Sequence, residues 1–203
     1  MKAIGWAATW WVFGASVLGA CSGDSVSVAS QSVIGRPCVP QDESFESFPS
    51  YAVSEVVIWE NEEQCDGLIC LVNHFQGRVT CPYGQTQDEI DTLAPSDPAR
   101  CRLPRKSGAT PAEALSVPAA PQLVQRRAAD VVLCTCQCGG RPDPADNCTC
   151  PAGMVCSQVG FGGATSYCVR AGTEYEPTEP PGPTCDKSST DPATDCGNNR
   201  QNP

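Results

Sequence analysis

The sequence predicts a small disulfide-rich fold, β-containing, with much irregular structure, short antiparallel hairpins and little helix outside an N-terminal signal segment. Three observations carry that expectation. The chain holds 15 cysteines in 203 residues. It holds 19 prolines and 18 glycines but only 6% aromatic residues. Its apolar runs, such as Val56-Val57-Ile58-Trp59, are short, β-branched and bounded by turn formers. A chain so poor in large apolar side chains buries a modest core, and crosslinks supply what burial cannot.

The chain opens MKAIGWAATWWVFGASVLGACSGD. Lys2 precedes an uncharged run over residues 3–20. A positive n-region, an apolar h-region and small residues at a cleavage point are the pattern of an exported chain. The run is also just long enough for a short membrane span, but no basic stop-transfer cluster follows it. It ends on Leu18-Gly19-Ala20-Cys21. Those four residues resemble the lipobox of bacterial lipoproteins, where a leucine and two small residues precede a cysteine.

The resemblance covers residues 1–22. It implies that residues 1–20 are a signal peptide and that Cys21 is the lipidation site, its thiol diacylated and its new amine acylated, palmitate being a typical chain. The partner implied is a membrane. One acyl chain holds a protein marginally, at about 0.8 kcal/mol per buried methylene, and two or three hold it stably. In this family an aspartate after the cysteine retains the protein in the inner membrane. Ser22 stands there, so the expected location is the cell envelope, lipid-anchored, at the outer membrane. The alternative is an ordinary secreted protein whose first mature cysteine falls at that place.

An odd cysteine count in an exported protein calls for a leftover thiol. Lipidation of Cys21 uses one and leaves an even set, which an oxidising compartment turns into disulfides. That set falls into three groups. Cys38, Cys65, Cys70, Cys81 and Cys101 form the first. Cys134, Cys136, Cys138, Cys148, Cys150, Cys156 and Cys168 form the second. Cys185 and Cys196 form the third. If the third pairs internally, the first two groups are both odd and at least one bond joins them. Cys101–Cys134 is the simplest candidate, because each lies at the edge of its group. Residues 102–133 would then be a closed loop.

In an extended chain Cys134, Cys136 and Cys138 share one face. Bridging two of them strains disulfide geometry. Their expected partners are Cys148, Cys150, Cys156 and Cys168. GGRPDPADN, between the two C-x-C pairs, is strong turn chemistry, so the reading there is a hairpin stapled across its strands. CTCPAGMVC resembles the C-x-C-P-x-G run of EGF-like modules, with a shorter final loop and no function carried over.

The expected organisation follows. Residues 1–20 are the signal and 21–36 a small, polar, flexible tether. Residues 37–101 form a cysteine-containing β module, with strands expected at residues 56–59 and 68–72, a turn at Gln76 and Gly77, and a return at residues 78–81. Residues 102–133 are a proline-rich connection whose apolar end leads a strand into the cluster. Residues 134–170 form the cysteine-dense hairpin module. Residues 171–203 are an acidic, proline-rich tail, expected to be extended apart from a Cys185–Cys196 loop.

Chemistry-bearing motifs are few. His74 is the one histidine. A dyad would need Cys70 or Cys81 as a thiol beside it, and neither belongs to a C-x-x-C pair. It reads as a turn histidine. Glu60, Glu62, Glu63 and Asp66 lack EF-hand spacing and read as a solvated acidic face. Structural zinc uses other spacing than C-x-C. The expectation is therefore no metal, no cofactor and no catalytic residue. VGFGGATS lacks the strand-to-helix context of a phosphate loop.

The chain has 23 acidic and 13 basic residues, a net charge of −10. That disfavours nucleic acid, whose affinity comes from cations on phosphates. Arg100, Arg102, Arg105, Lys106, Arg126 and Arg127 cluster in one region, either holding the acidic tail or exposed.

The reading is a membrane-anchored extracytoplasmic lipoprotein with a disulfide-stabilised binding or structural role, not an enzyme, with an unidentified envelope protein or glycan as partner. Its cysteine pattern is similar to that of cysteine-rich lipoproteins of unknown function. One alternative is an exported thiol oxidoreductase or metal-binding protein using the C-x-C cluster. Another is a secreted inhibitor- or toxin-like domain.

Overall fold

Residues 68–73 read L-I-C-L-V-N, apolar on both faces, and such a strand belongs in the middle of a sheet. In the computed structural model, which describes residues 32–104, 113–160, 165–178, 180–191 and 193–197, it does so. Strands β1 (Val56–Glu62), β2 (Leu68–Asn73) and β3 (Val132–Thr135) form an antiparallel sheet in that order. A second antiparallel sheet is built from β4 (Gln137–Gly139), β5 (Met154–Gln158) and β6 (Ser166–Arg170), with β6 in the centre.

The central strand feeds two cores, because its side chains alternate. Cys70 and Val72 point to a cluster with Phe75, Val132, Cys134 and Tyr51. Ile69 and Leu71 point to the other side, where Tyr167 and Val169 of the second sheet meet them. Fully burying each such aliphatic side chain contributes about 1.5–3 kcal/mol. The two sheets are thus pressed together through β2.

The connection from β1 to β2 is a tight turn. A short 3-10 helix, Glu63–Cys65, leads into Asp66 at φ 51° and Gly67 at φ 80°. One further short helix, α1 (Gln87–Thr92), starts at a capping box: Glu89 N–H donates to Thr86 Oγ1 at 3.2 Å, and Thr86 N–H donates to Glu89 Oε2 at 2.9 Å. That T-x-x-E pattern is a sequence signal for a helix start. A single turn, α2 (Ala128–Val131), leads into β3.

Two expectations are corrected. Residues 78–81 are not a return strand for β2; they close a turn in which Arg78 bridges Cys81. The partner of β2 on that side is β3, whose four residues are all buried, and burying them outweighs pairing the more polar R-V-T-C. The two C-x-C segments do not form a hairpin. β4 pairs with β6 instead, and prolines in the intervening loop favour a 3-10 turn at Pro144–Asp146. The hairpin of this region is β5 with β6.

Two segments read as peripheral are packed. Val33 and Ile34 are buried, and the backbone of Gly35 and Arg36 hydrogen-bonds both polar groups of Cys134. The tail lies along the body, with Val124 N–H on Pro183 O and Cys185 N–H on Gln122 O, at 2.9 and 2.8 Å. No helix among the described residues is long and apolar enough to cross a membrane.

Candidate functional site

Fourteen cysteines form seven disulfides: Cys38–Cys70, Cys65–Cys134, Cys81–Cys101, Cys136–Cys148, Cys138–Cys156, Cys150–Cys168 and Cys185–Cys196. Such a set is the mark of a chain matured outside the reducing cytosol. The tail pair closes on itself, and one bond joins the first two groups. That bond is Cys65–Cys134, not Cys101–Cys134. β3 carries Cys134 into the sheet beside β2, where it bonds Cys65, while Cys101 bonds Cys81. Cys21 lies outside the described residues.

Cysteines that face each other across strands are not bonded together. Cys70 opposes Cys134, and Cys156 opposes Cys168. Opposed β-carbons sit about 4.5–5.5 Å apart, wider than a disulfide prefers. Each of the four reaches instead to a partner outside that register. The sulfurs consequently gather. Cys38, Cys65 and Cys134 lie within 4.8 Å of one another, as do Cys136, Cys148 and Cys168, and Cys138, Cys150 and Cys156. In this oxidised state each sulfur is committed to a covalent bond. Neither Cys70 nor Cys81 offers His74 a thiol, since each is in a bridge.

His74 is buried at the end of β2 and holds φ 50°, a conformation uncommon outside glycine. Its Nδ1 lies 3.0 Å from Val53 O, which makes Nδ1 the protonated nitrogen of the neutral ring. The ring stacks on Tyr175 of the tail with centroids 3.7 Å apart. Asn73, His74, Ser157, Val159, Glu174 and Tyr175 line a cleft of about 120 Å³. Arg126 backs it. Its Nε donates to His74 O at 2.7 Å, its Nη2 to Asn73 O at 2.7 Å, and both Nη atoms to Thr173 O at 3.2 Å. One guanidinium therefore ties the strand end to the root of the tail.

Burial lowers the His74 pKa, with the Val53 carbonyl opposing and Arg126 adding to the shift. A histidine kept neutral in the fold gains its proton at lower pH than in the unfolded chain. Its stabilisation is complete above about pH 6.5 and declines as the pH falls from there toward the lowered folded value. Thermal melts at pH 7 and pH 5 should therefore show a larger drop for the wild type than for His74→Asn, since asparagine tolerates the left-handed backbone. Equal drops would separate His74 from acid sensitivity.

The other described basic residues of that region reach backbone carbonyls. Arg100 is buried and donates from Nη1 to the carbonyls of Ile90 and Leu93, both at 3.0 Å, closing the C-terminal end of α1. Arg102 reaches the carbonyls of Pro95 and Asp97. Arg127 reaches Ala193 O in the tail. Arg126 and Arg127 thus hold the tail by its carbonyls. Arg105 and Lys106 lie outside the described residues.

Glu60, Glu63 and Asp66 are exposed, whereas Glu62 is buried with Oε1 3.4 Å from Gln64 Nε2. The groups of three metal-capable side chains found among the described residues are all cysteines, so these four carboxylates do not converge. Of VGFGGATS, residues 161–164 lie outside the described residues, and Val159 and Gly160 line the His74 cleft.

Sequence reasoning missed the ion pair of Arg78 with Glu43, both side chains fully buried. It also missed the Tyr175 stack. Both join residues far apart in the chain, and no local pattern announces them.

No protein-family model, curated protein or solved structure matches this chain.

Proposed function

We propose that this protein is a lipid-anchored module displayed on the bacterial cell envelope, with a structural or binding role set by its disulfide frame and no catalytic chemistry of its own. The observation that carries the reading is the parity of the cysteines. Seven disulfides use fourteen of the 15. The one outside them is Cys21, which ends the lipobox-like Leu18-Gly19-Ala20-Cys21. An exported thiol without a partner is a liability in an oxidising compartment, and acylation removes it. Two or three chains there give stable anchoring. Ser22 in place of aspartate favours the outer membrane. The partner is an envelope protein or glycan, and the negative charge speaks against nucleic acid.

The test is a fatty-acid analogue fed to cells making the protein. The wild type should incorporate label in a globomycin-sensitive way and fractionate with the outer membrane. Cys21→Ser should lose the label and leave the membrane fraction, with its seven disulfides intact by mass. Wild-type protein free of fatty acid, with a native amine at another residue, would overturn the anchor.

A further inference from the structure

We infer that the three disulfides Cys138–Cys156, Cys150–Cys168 and Cys136–Cys148 form one thiol–disulfide exchange site, entered at Cys156 by a small-molecule thiol. The inference goes beyond the anchoring role and does not depend on it. It rests on where the sulfurs lie. Cys156 is exposed, on a strand at the edge of the second sheet. Its partner Cys138 is within 4.8 Å of Cys150 Sγ. Cys150 is bonded to Cys168. Cys168 Sγ lies 3.8 Å from Cys148 Sγ and 3.9 Å from Cys136 Sγ. The last bridge lines a second cleft, of about 210 Å³, with Glu60, Thr135, Gln137 and Arg141. Six sulfurs therefore run without a break from an exposed point to a cleft wall.

Exchange proceeds by thiolate attack on a disulfide sulfur, and each step conserves the number of disulfides. An external thiolate attacks Cys156 Sγ. It forms a mixed disulfide there, breaks the bond to Cys138 and leaves the electron pair on Cys138 Sγ. The Cys138 thiolate attacks Cys150 Sγ, forming Cys138–Cys150 and releasing the Cys168 thiolate. The Cys168 thiolate attacks Cys148 or Cys136, bonds to it and releases the other as a thiolate. A second external thiolate then attacks the sulfur of the first, forming the external disulfide and releasing the Cys156 thiolate. The net change is two external thiols oxidised to one disulfide and two protein cysteines reduced, with no other reactant.

A built-in contrast exists. Cys38–Cys70 and Cys65–Cys134 also stand close together, but their four sulfur-bearing residues are at most 2% exposed. They have the neighbours and lack the entry. Thiol access, rather than proximity alone, separates the two sets.

The experiment uses the full purified chain with reduced glutathione as the probe, limiting and at mildly alkaline pH. The reaction is stopped by acid, free thiols are tagged with a maleimide, and a non-reduced digest is mapped by mass. The expected result is glutathione on Cys156, a new Cys138–Cys150 linkage, and tag on Cys136, Cys148 or Cys168. Cys38, Cys65, Cys70 and Cys134 stay untagged. In a variant lacking the middle bridge, Cys150→Ala with Cys168→Ala, the tag should remain on Cys138. Tag on Cys138 in the wild type, with every other native bridge intact, would overturn the inference. So would attack on the sealed pair at the same rate. The wild-type map decides the matter alone if the double variant does not fold.

Discussion

Glu43→Ala lowers the stability of the oxidised protein by about 3–5 kcal/mol, read as a fall in the urea midpoint without reductant. The side chains of Glu43 and Arg78 are both fully buried. The carboxylate accepts from Val79 N at 2.5 Å, Thr80 N at 3.0 Å and Thr80 Oγ1 at 2.7 Å. Arg78 donates from Nη1 to Phe48 O at 2.5 Å and from Nη2 to Glu43 O, and its guanidinium lies over the Phe48 ring. Removing the acid leaves a buried cation without its counter-charge and three donors without an acceptor, and these costs combine. Burial raises the Glu43 pKa and lowers that of Arg78, so both groups already feel the dry surroundings that make an orphan charge expensive.

The companion variant is Glu43→Leu with Arg78→Met. It removes both charges, and part of the loss should return, because replacing a buried pair with apolar groups is often close to neutral. Recovery stays incomplete, since the N–H groups of Val79 and Thr80 still lack acceptors. A single-variant loss under about 1 kcal/mol would show that the acid is solvated rather than paired in a dry interior.

Cys65→Ala with Cys134→Ala should cost about 4 kcal/mol by the loop-entropy relation, for a bridge spanning 69 residues. The same relation gives about 3 kcal/mol for Cys136–Cys148, whose separation is 12. A small domain has about 5–15 kcal/mol in total, so the first variant approaches the threshold of folding. It also removes the one disulfide between residues 38–101 and residues 134–168. The expected readout is a urea midpoint well below that of a variant lacking Cys136–Cys148, with near-ultraviolet dichroism weakened at mild denaturant. The opposite ranking would mean that strain or denatured-state structure, not loop length, sets the contribution of each bridge.

Local chemistry reads well from a sequence of this type, and partner choice does not. The run L-I-C-L-V is a central strand because both its faces are apolar. The tail cysteines, 11 residues apart, pair with each other. Once they do, two odd groups remain, and their parity alone requires a bond between them. None of this selects Cys65 for Cys134, because that choice depends on β3 entering beside β2. The failed return strand at residues 78–81 has the same origin. Its alternation was adequate for a strand, but a more apolar segment more than fifty residues downstream takes the place.

By itself, the sequence determined that covalent bonds rather than a large core would hold this protein, that its strands would be short, and that one cysteine would stand outside the pairing. Tertiary structure alone decided which sulfurs meet, that Arg126 and Tyr175 fasten the tail over His74, and that an ion pair sits dry beneath the first module. The physical reason is range. Cysteine count, apolar alternation and turn residues act over a few neighbours along the chain, whereas a disulfide, a stacked ring or a buried charge pair requires two distant segments to be brought together by burial of everything around them.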